Sequence, residues 1–196
     1  MNDLPIFIHV PRTGGNTMRY TYRGKFQHFG HDTTEQVRMR DPRRFETCWK
    51  YGFVRNPWDR YCSLYYHFVN SRNQEMRPTD LDWQRENFHD WLHTPYERKK
   101  GRGWEWTMNQ CPNIMFHIDG ELVMNRVFRF EKMRDAHRVV ANKLEAPPIN
   151  LPHRKAAPRH FRTKELIVDP VDIAFIAEHS AWEIERYGYR YEQASR

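Results

Sequence analysis

The stretch PIFIHVPRTGGNT, residues 5–17, sets an unbroken apolar run against a pair of adjacent glycines. A run this short and continuous, over 4–10 and bounded by Pro11 and Gly14, predicts a strand buried on both faces. Such a strand needs helices to cover it, and a helix is predicted directly afterwards, over 16–23. Gly14 and Gly15 reach backbone angles closed to other residues, so successive N–H groups can converge on one oxyanion. A helix starting at Asn16 or Thr17 would turn its positive end towards the same anion. The lysine-serine ending of the nucleoside-triphosphatase loop is absent, and read alone the turn serves equally as an ordinary strand-to-helix connection.

The same pattern recurs. CWKYGFV (48–54) predicts a second buried strand, after which Asn56 can cap a helix with Pro57 in its first turn, running to about Asn70. Leu81, Phe88, Trp91 and Leu92 mark a helix behind Thr79 and Asp80. IMFHI (114–118) and VFRF (127–130) read as further strands. Met133, His137, Val140, Ala141 and Leu144 stripe another helix, and a last one from near Pro170 carries Ile173, Ile176, Ala177, Ile184 and Tyr187. Strand–loop–helix units in this order predict an α/β chain, a three-layer, P-loop-like fold with a mostly parallel central sheet flanked by helices. In such sheets ligands sit at the carboxyl ends of the strands. With 196 residues, 39% of them hydrophobic, one domain over residues 1–196 is expected. Cys48, Cys62 and Cys111 are odd in number and lack metal spacing, so reduced, packed thiols are expected, as in a cytoplasmic protein. MNDLPIFIHV lacks a basic leader and a long apolar core, and no stretch approaches a membrane span, so neither export nor a membrane partner is expected.

The net charge of +7 points to an anionic ligand, and a second loop says where part of it is used. Arg55 ends the second strand, and Ser63 lies two turns into the helix capped by Asn56. Asn56, Ser63 and one of Asp59 or Arg60 share a helical face, so a guanidinium and a hydroxyl can converge on a phosphate. The competing arrangement pairs Arg55 with Asp59 and leaves Ser63 to solvent.

FIHVPRTGGNTM together with GFVRNPWDRYCSLYYHF resembles the sulfotransferase superfamily that uses 3′-phosphoadenosine 5′-phosphosulfate (PAPS). The likeness is nearest to its carbohydrate-type branch, with the uronosyl 2-O-sulfotransferases and small bacterial members; VFRFEKM and YGYRY fit it loosely. The resemblance implies transfer of a sulfuryl group from PAPS to a hydroxyl of a glycan or small molecule, without a metal. By position it puts Arg12 in place of the family's phosphosulfate lysine, and Thr13, Gly14, Gly15, Asn16 and Thr17 in the 5′ cradle. Arg55 and Ser63 would hold the 3′-phosphate, with Arg154 or Lys155 closing over it. Arginine at position 12 stays charged throughout, so it can stabilise a leaving oxygen but cannot protonate it.

The acceptor hydroxyl needs a base. QHFGHDTTEQV (27–37) resembles the family's glycine–histidine segment, which makes His31 the candidate and His28 the second; Glu35 and Glu131 are fallbacks, and His9 is expected to pack beside the sheet. His28 with His31, or His89 with His93, could suggest a metal, but no third ligand completes either set at familiar spacing. The basic stretches 97–103 and 153–164 read as solvated loops or acceptor contacts, and Trp104 and Trp106 in 103–110 as a pair that stacks on a sugar or fills a core edge. No nucleic-acid recognition motif appears, so no nucleic-acid partner is expected. The alternatives are a nucleotide-binding relative without turnover and a P-loop nucleotide kinase.

Overall fold

The computed structural model describes residues 4–71, 80–94, 110–147 and 161–194. These pack as two compact units, one holding 4–55 and 110–147, the other 56–71, 80–94 and 161–194.

The first unit is built on a four-stranded, all-parallel sheet of β1 (Ile6–Ile8), β2 (Gln27–His28), β3 (Lys50–Val54) and β6 (Arg126–Arg129), in the order β2-β1-β3-β6. Helices flank the sheet, as the strand–loop–helix order predicts. On one face Phe7, Tyr51, Phe53 and Phe128 pack against Met18 of α1 (Gly15–Thr21) and Tyr22, the residue that ends it. The same cluster takes in Ala136, Val140 and Ala141 from α7 (Met133–Lys143). Alternation along β3 puts Gly52 on the opposite face, where the Phe116 ring fills the room a side chain would need: a β-carbon on Gly52 would lie 2.7 Å from it. Phe116 follows α6 (Pro112–Met115). α2 (Thr34–Arg40) is tied to this region by the Thr34 hydroxyl, which donates to the His117 carbonyl. α3 (Pro42–Thr47) follows α2 directly and leads into β3, whose buried Lys50 returns its ammonium to the Phe45 and Cys48 carbonyls.

Two expectations fail here. Residues 114–118 do not form one strand. Cys111 and Pro112 start the short α6 instead, and only His117–Ile118 (β4) is extended, paired antiparallel with Glu121–Leu122 (β5) through an Asp119–Gly120 turn with both residues at positive φ. Phe130 likewise leaves the strand and opens a 3-10 turn, Phe130–Lys132.

The second unit is helical. Asn56 accepts from the Asp59 amide and Pro57 opens α4 (Pro57–Ser71), as expected. α5 (Leu81–His93) starts at an Asp80 cap, and Tyr65 of α4 reaches Gln84 and Asn87 on it. α8 (Thr163–Leu166) docks on α4 through the Thr163 hydroxyl, which donates to Asp59 at 2.5 Å. The single terminal helix expected from Pro170 is two: α9 (Pro170–His179) ends at Ser180, where φ −121° and ψ 23° leave helical geometry, and α10 (Ala181–Tyr187) begins. All three cysteines are buried and none forms a disulfide. Among the described residues, no helix is long and apolar enough to cross a membrane.

Candidate functional site

The loop between β1 and α1 is held from three sides. Gly14 has a φ of +88°, and a β-carbon there would stand 2.6 Å from Met133 Cε and 2.9 Å from Phe130. Gly15 is closed off by the His9 ring: its β-carbon would fall 1.9 Å from Nε2. The Thr13 side chain is buried and its hydroxyl donates to the Val10 carbonyl at 2.8 Å, so it shapes the turn. Arg12, half-buried, sits at a φ of +66°, a conformation that costs a non-glycine residue of order 1 kcal/mol. Asn16 and Thr17 occupy the first turn of α1, Asn16 exposed.

Arg55 comes from the end of β3, the strand next to β1. Its Nη1 donates to the Arg12 carbonyl at 3.2 Å, and its guanidinium lies 4.6 Å from the centre of the Phe130 ring. The same ring crowds Gly14, so the first loop, Arg55 and the segment after β6 meet around Phe130. Ser63 is buried in α4, in the second unit. Arg154 and Lys155, the basic stretch 97–103 and the pair Trp104 and Trp106 lie outside the described residues.

Three histidines gather at the same end of the sheet. His9 Nδ1 is 3.1 Å from His28 Nε2, and the His9 and His31 ring centres are 4.3 Å apart. His31 donates from Nδ1 to the His9 carbonyl at 2.7 Å, which leaves Nε2 as its acceptor nitrogen. All three are held in the neutral form. Burial, the two neighbouring imidazoles and then Arg19 and Arg12 push His9 from 6.5 to about 2. Burial, then Arg19 and His31, lower His28 to about 4. Burial lowers His31 as well, against an opposing effect of its bond to the His9 carbonyl. Glu35 and Glu131 are exposed, Glu35 in the first turn of α2 and Glu131 3.9 Å from Arg129.

Sequence reasoning placed His31 and His28 near the loop and His9 beside the sheet, where it is buried, but did not identify His9, Phe130 and Met133 as the loop's walls. Alternation would have found His9: it shares a strand face with Phe7, and the two rings stack at 5.4 Å. Neutral imidazole, two guanidinium groups and a glycine turn at one sheet end can together hold an anion and accept a proton. No family model, curated protein or solved structure matches the chain.

Proposed function

We propose that the chain is a PAPS-dependent sulfotransferase acting on a hydroxyl of a glycan or small molecule. The observation that carries this reading is the hydrogen bond from Arg55 to the Arg12 carbonyl, which joins the two anion loops read from the sequence. In the reaction the acceptor hydroxyl gives its proton to His31 Nε2 while its oxygen attacks sulfur. The bond between sulfur and the phosphate oxygen breaks, and adenosine 3′,5′-bisphosphate leaves. Arg12 and the amides around Gly14 and Gly15 stabilise the charge growing on that phosphate. Arg55 pairs with the 3′-phosphate. A base must be neutral to act, and the lowered pKa of His31 keeps it so near pH 7.

Adenosine 3′,5′-bisphosphate is expected to raise the thermal unfolding midpoint, by the equivalent of ~2.7 kcal/mol at a hundredfold excess over Kd. ATP with magnesium, or duplex DNA, should not; stabilisation by ATP with magnesium alone defeats the reading in favour of a kinase. Labelled PAPS offered with glycans, phenols and lipids then separates turnover from binding. Arg12 favours asking this, because a guanidinium cannot protonate the leaving oxygen. Bisphosphate binding without transfer to any acceptor would make the protein a nucleotide-binding relative.

A further inference from the structure

We propose that His89, His93 and Asp172 bind a divalent transition-metal ion of the zinc class, pinning α5 to the start of α9. The inference concerns the second unit and is independent of the sulfotransferase reading. His89 and His93 are four residues apart on α5, which puts both imidazoles on one helical face, ring centres 4.5 Å apart. The sequence offered no third donor at familiar spacing, because the third comes from another helix 79 residues on from His93. Asp172, in the first turn of α9, brings Oδ1 to 2.8 Å from His89 Nδ1 and 2.8 Å from His93 Nε2.

Its carboxylate is 3% exposed, so a charged oxygen has been taken out of water and aimed at two nitrogens. The donor atoms all lie within 4.8 Å of one another. Around tetrahedral zinc, with bonds of about 2.0–2.2 Å, ligand atoms stand ~3.3 Å apart. An ion fits once the two nitrogen–oxygen contacts open by about 0.5 Å and the two imidazole nitrogens, within 4.8 Å of each other, settle to the same spacing. On binding, each imidazole moves the proton it shares with Asp172 to its other ring nitrogen, freeing a lone pair for the metal. Asp169 caps α9 by accepting from the Val171 amide through Oδ1, while its Oδ2 lies 4.0 Å from His89 Nδ1. That oxygen, or a water, takes the fourth position. Phe175 stands against His93 at 4.7 Å and forms an apolar wall. Two nitrogens and a carboxylate suit zinc or cobalt over magnesium or calcium, which take oxygen.

The test uses untagged full-length protein, stripped with chelator and titrated with Zn²⁺ alone. One equivalent should bind and raise the thermal midpoint, and Co²⁺ in its place should give the visible bands of a four- or five-coordinate ion. His93→Gln and His89→Gln replace half-buried or exposed rings and keep the fold, checked by circular dichroism. Each should lose zinc affinity by more than roughly 100-fold, beyond what loss of an outer partner costs. Asp172→Asn should do the same if it folds. His28→Gln, at the other histidine cluster, should bind as the wild type does. Equal zinc binding by wild type and His93→Gln, or loss of the ion in His28→Gln alone, overturns the proposal.

Discussion

The imidazole of His9 occupies the space in which a side chain at residue 15 would have to lie, with Nε2 1.9 Å from the position of a β-carbon on Gly15. His9, the residue after β1, thus limits the loop directly. Gly15→Ala should destabilise the fold by ~1–3 kcal/mol through overpacking and weaken bisphosphate binding as the loop shifts. Trimming the ring should relieve the clash. The double variant His9→Ala/Gly15→Ala is expected to be at least ~0.5 kcal/mol more stable than the sum of the two single changes allows. Strict additivity in thermal or denaturant unfolding would show that the two residues do not press on each other.

The histidine cluster makes the protein acid-sensitive in a definite window. His9 and His28 titrate at about 2 and about 4 when folded, against 6.5 as the unfolded reference. Below pH 6.5 the unfolded chain takes up protons that the folded chain refuses, so stability is complete above that value. It falls as the pH drops towards 4 for His28, and further towards 2 for His9. The unfolding midpoint should therefore decline between about pH 6.5 and pH 5, before most carboxylates titrate. His28→Gln should flatten the decline; a slope unchanged by that substitution argues against the neutral cluster.

His31 makes a catalytic prediction that is separable from stability. His31→Ala should bind bisphosphate as tightly as the wild type and lower sulfuryl transfer by at least ~10². The acidic limb of the kcat/KM profile should have its midpoint below 6.5, because the folded ring is harder to protonate than a free one. Transfer at the wild-type rate in His31→Ala would hand the role to His28 or to a carboxylate.

What the sequence made legible was whatever depended on local patterning. β1, β3 and the helix capped by Asn56 followed from continuous apolar runs and a cap-then-proline signal. α2 carries a reciprocal capping box at Thr33 and Gln36, but it is seven residues long and buries only Thr34 and Val37, too few for an apolar period to show. Over residues 114–118 an apolar run of five does not by itself distinguish strand from helix; Pro112 before it and Asp119–Gly120 after it carry the better signal. The site divides in the same way. Gly14, Gly15 and Arg55 stand next to recognisable elements, whereas the wall made by Phe130 and Met133, and Asp172 beside His89 and His93, depend on pairings between distant segments.

Two tyrosines in one core should respond oppositely to loss of their hydroxyls. Tyr51 is fully buried between Trp49 and Phe7, at 4.9 and 5.1 Å between ring centres, and its hydroxyl has no hydrogen-bond partner among the described residues. Burial holds that phenol well above its ordinary pKa of 10.0. Tyr51→Phe removes an unsatisfied group and should leave stability unchanged or raise it by up to ~1 kcal/mol. The Tyr22 hydroxyl bonds to His137, so Tyr22→Phe should cost ~1–2 kcal/mol. Denaturant midpoints of the two variants decide this, and a larger loss for Tyr51→Phe would contradict it.

Arg55 makes two contacts that lysine cannot reproduce together: a bond to the Arg12 carbonyl and a flat face on the Phe130 ring. Arg55→Ala should weaken bisphosphate binding by about 10- to 100-fold, the range for a lost charge-assisted hydrogen bond. Arg55→Lys should recover less than half of that free energy, because an ammonium neither stacks nor forks. Phe130→Leu keeps the volume roughly but removes the aromatic face, and should weaken binding by less than tenfold while leaving Gly14 its neighbour. Calorimetric titration of adenosine 3′,5′-bisphosphate into the three variants orders them. If lysine restores wild-type affinity, the arginine acts only as a point charge and its stacking on Phe130 contributes nothing to binding.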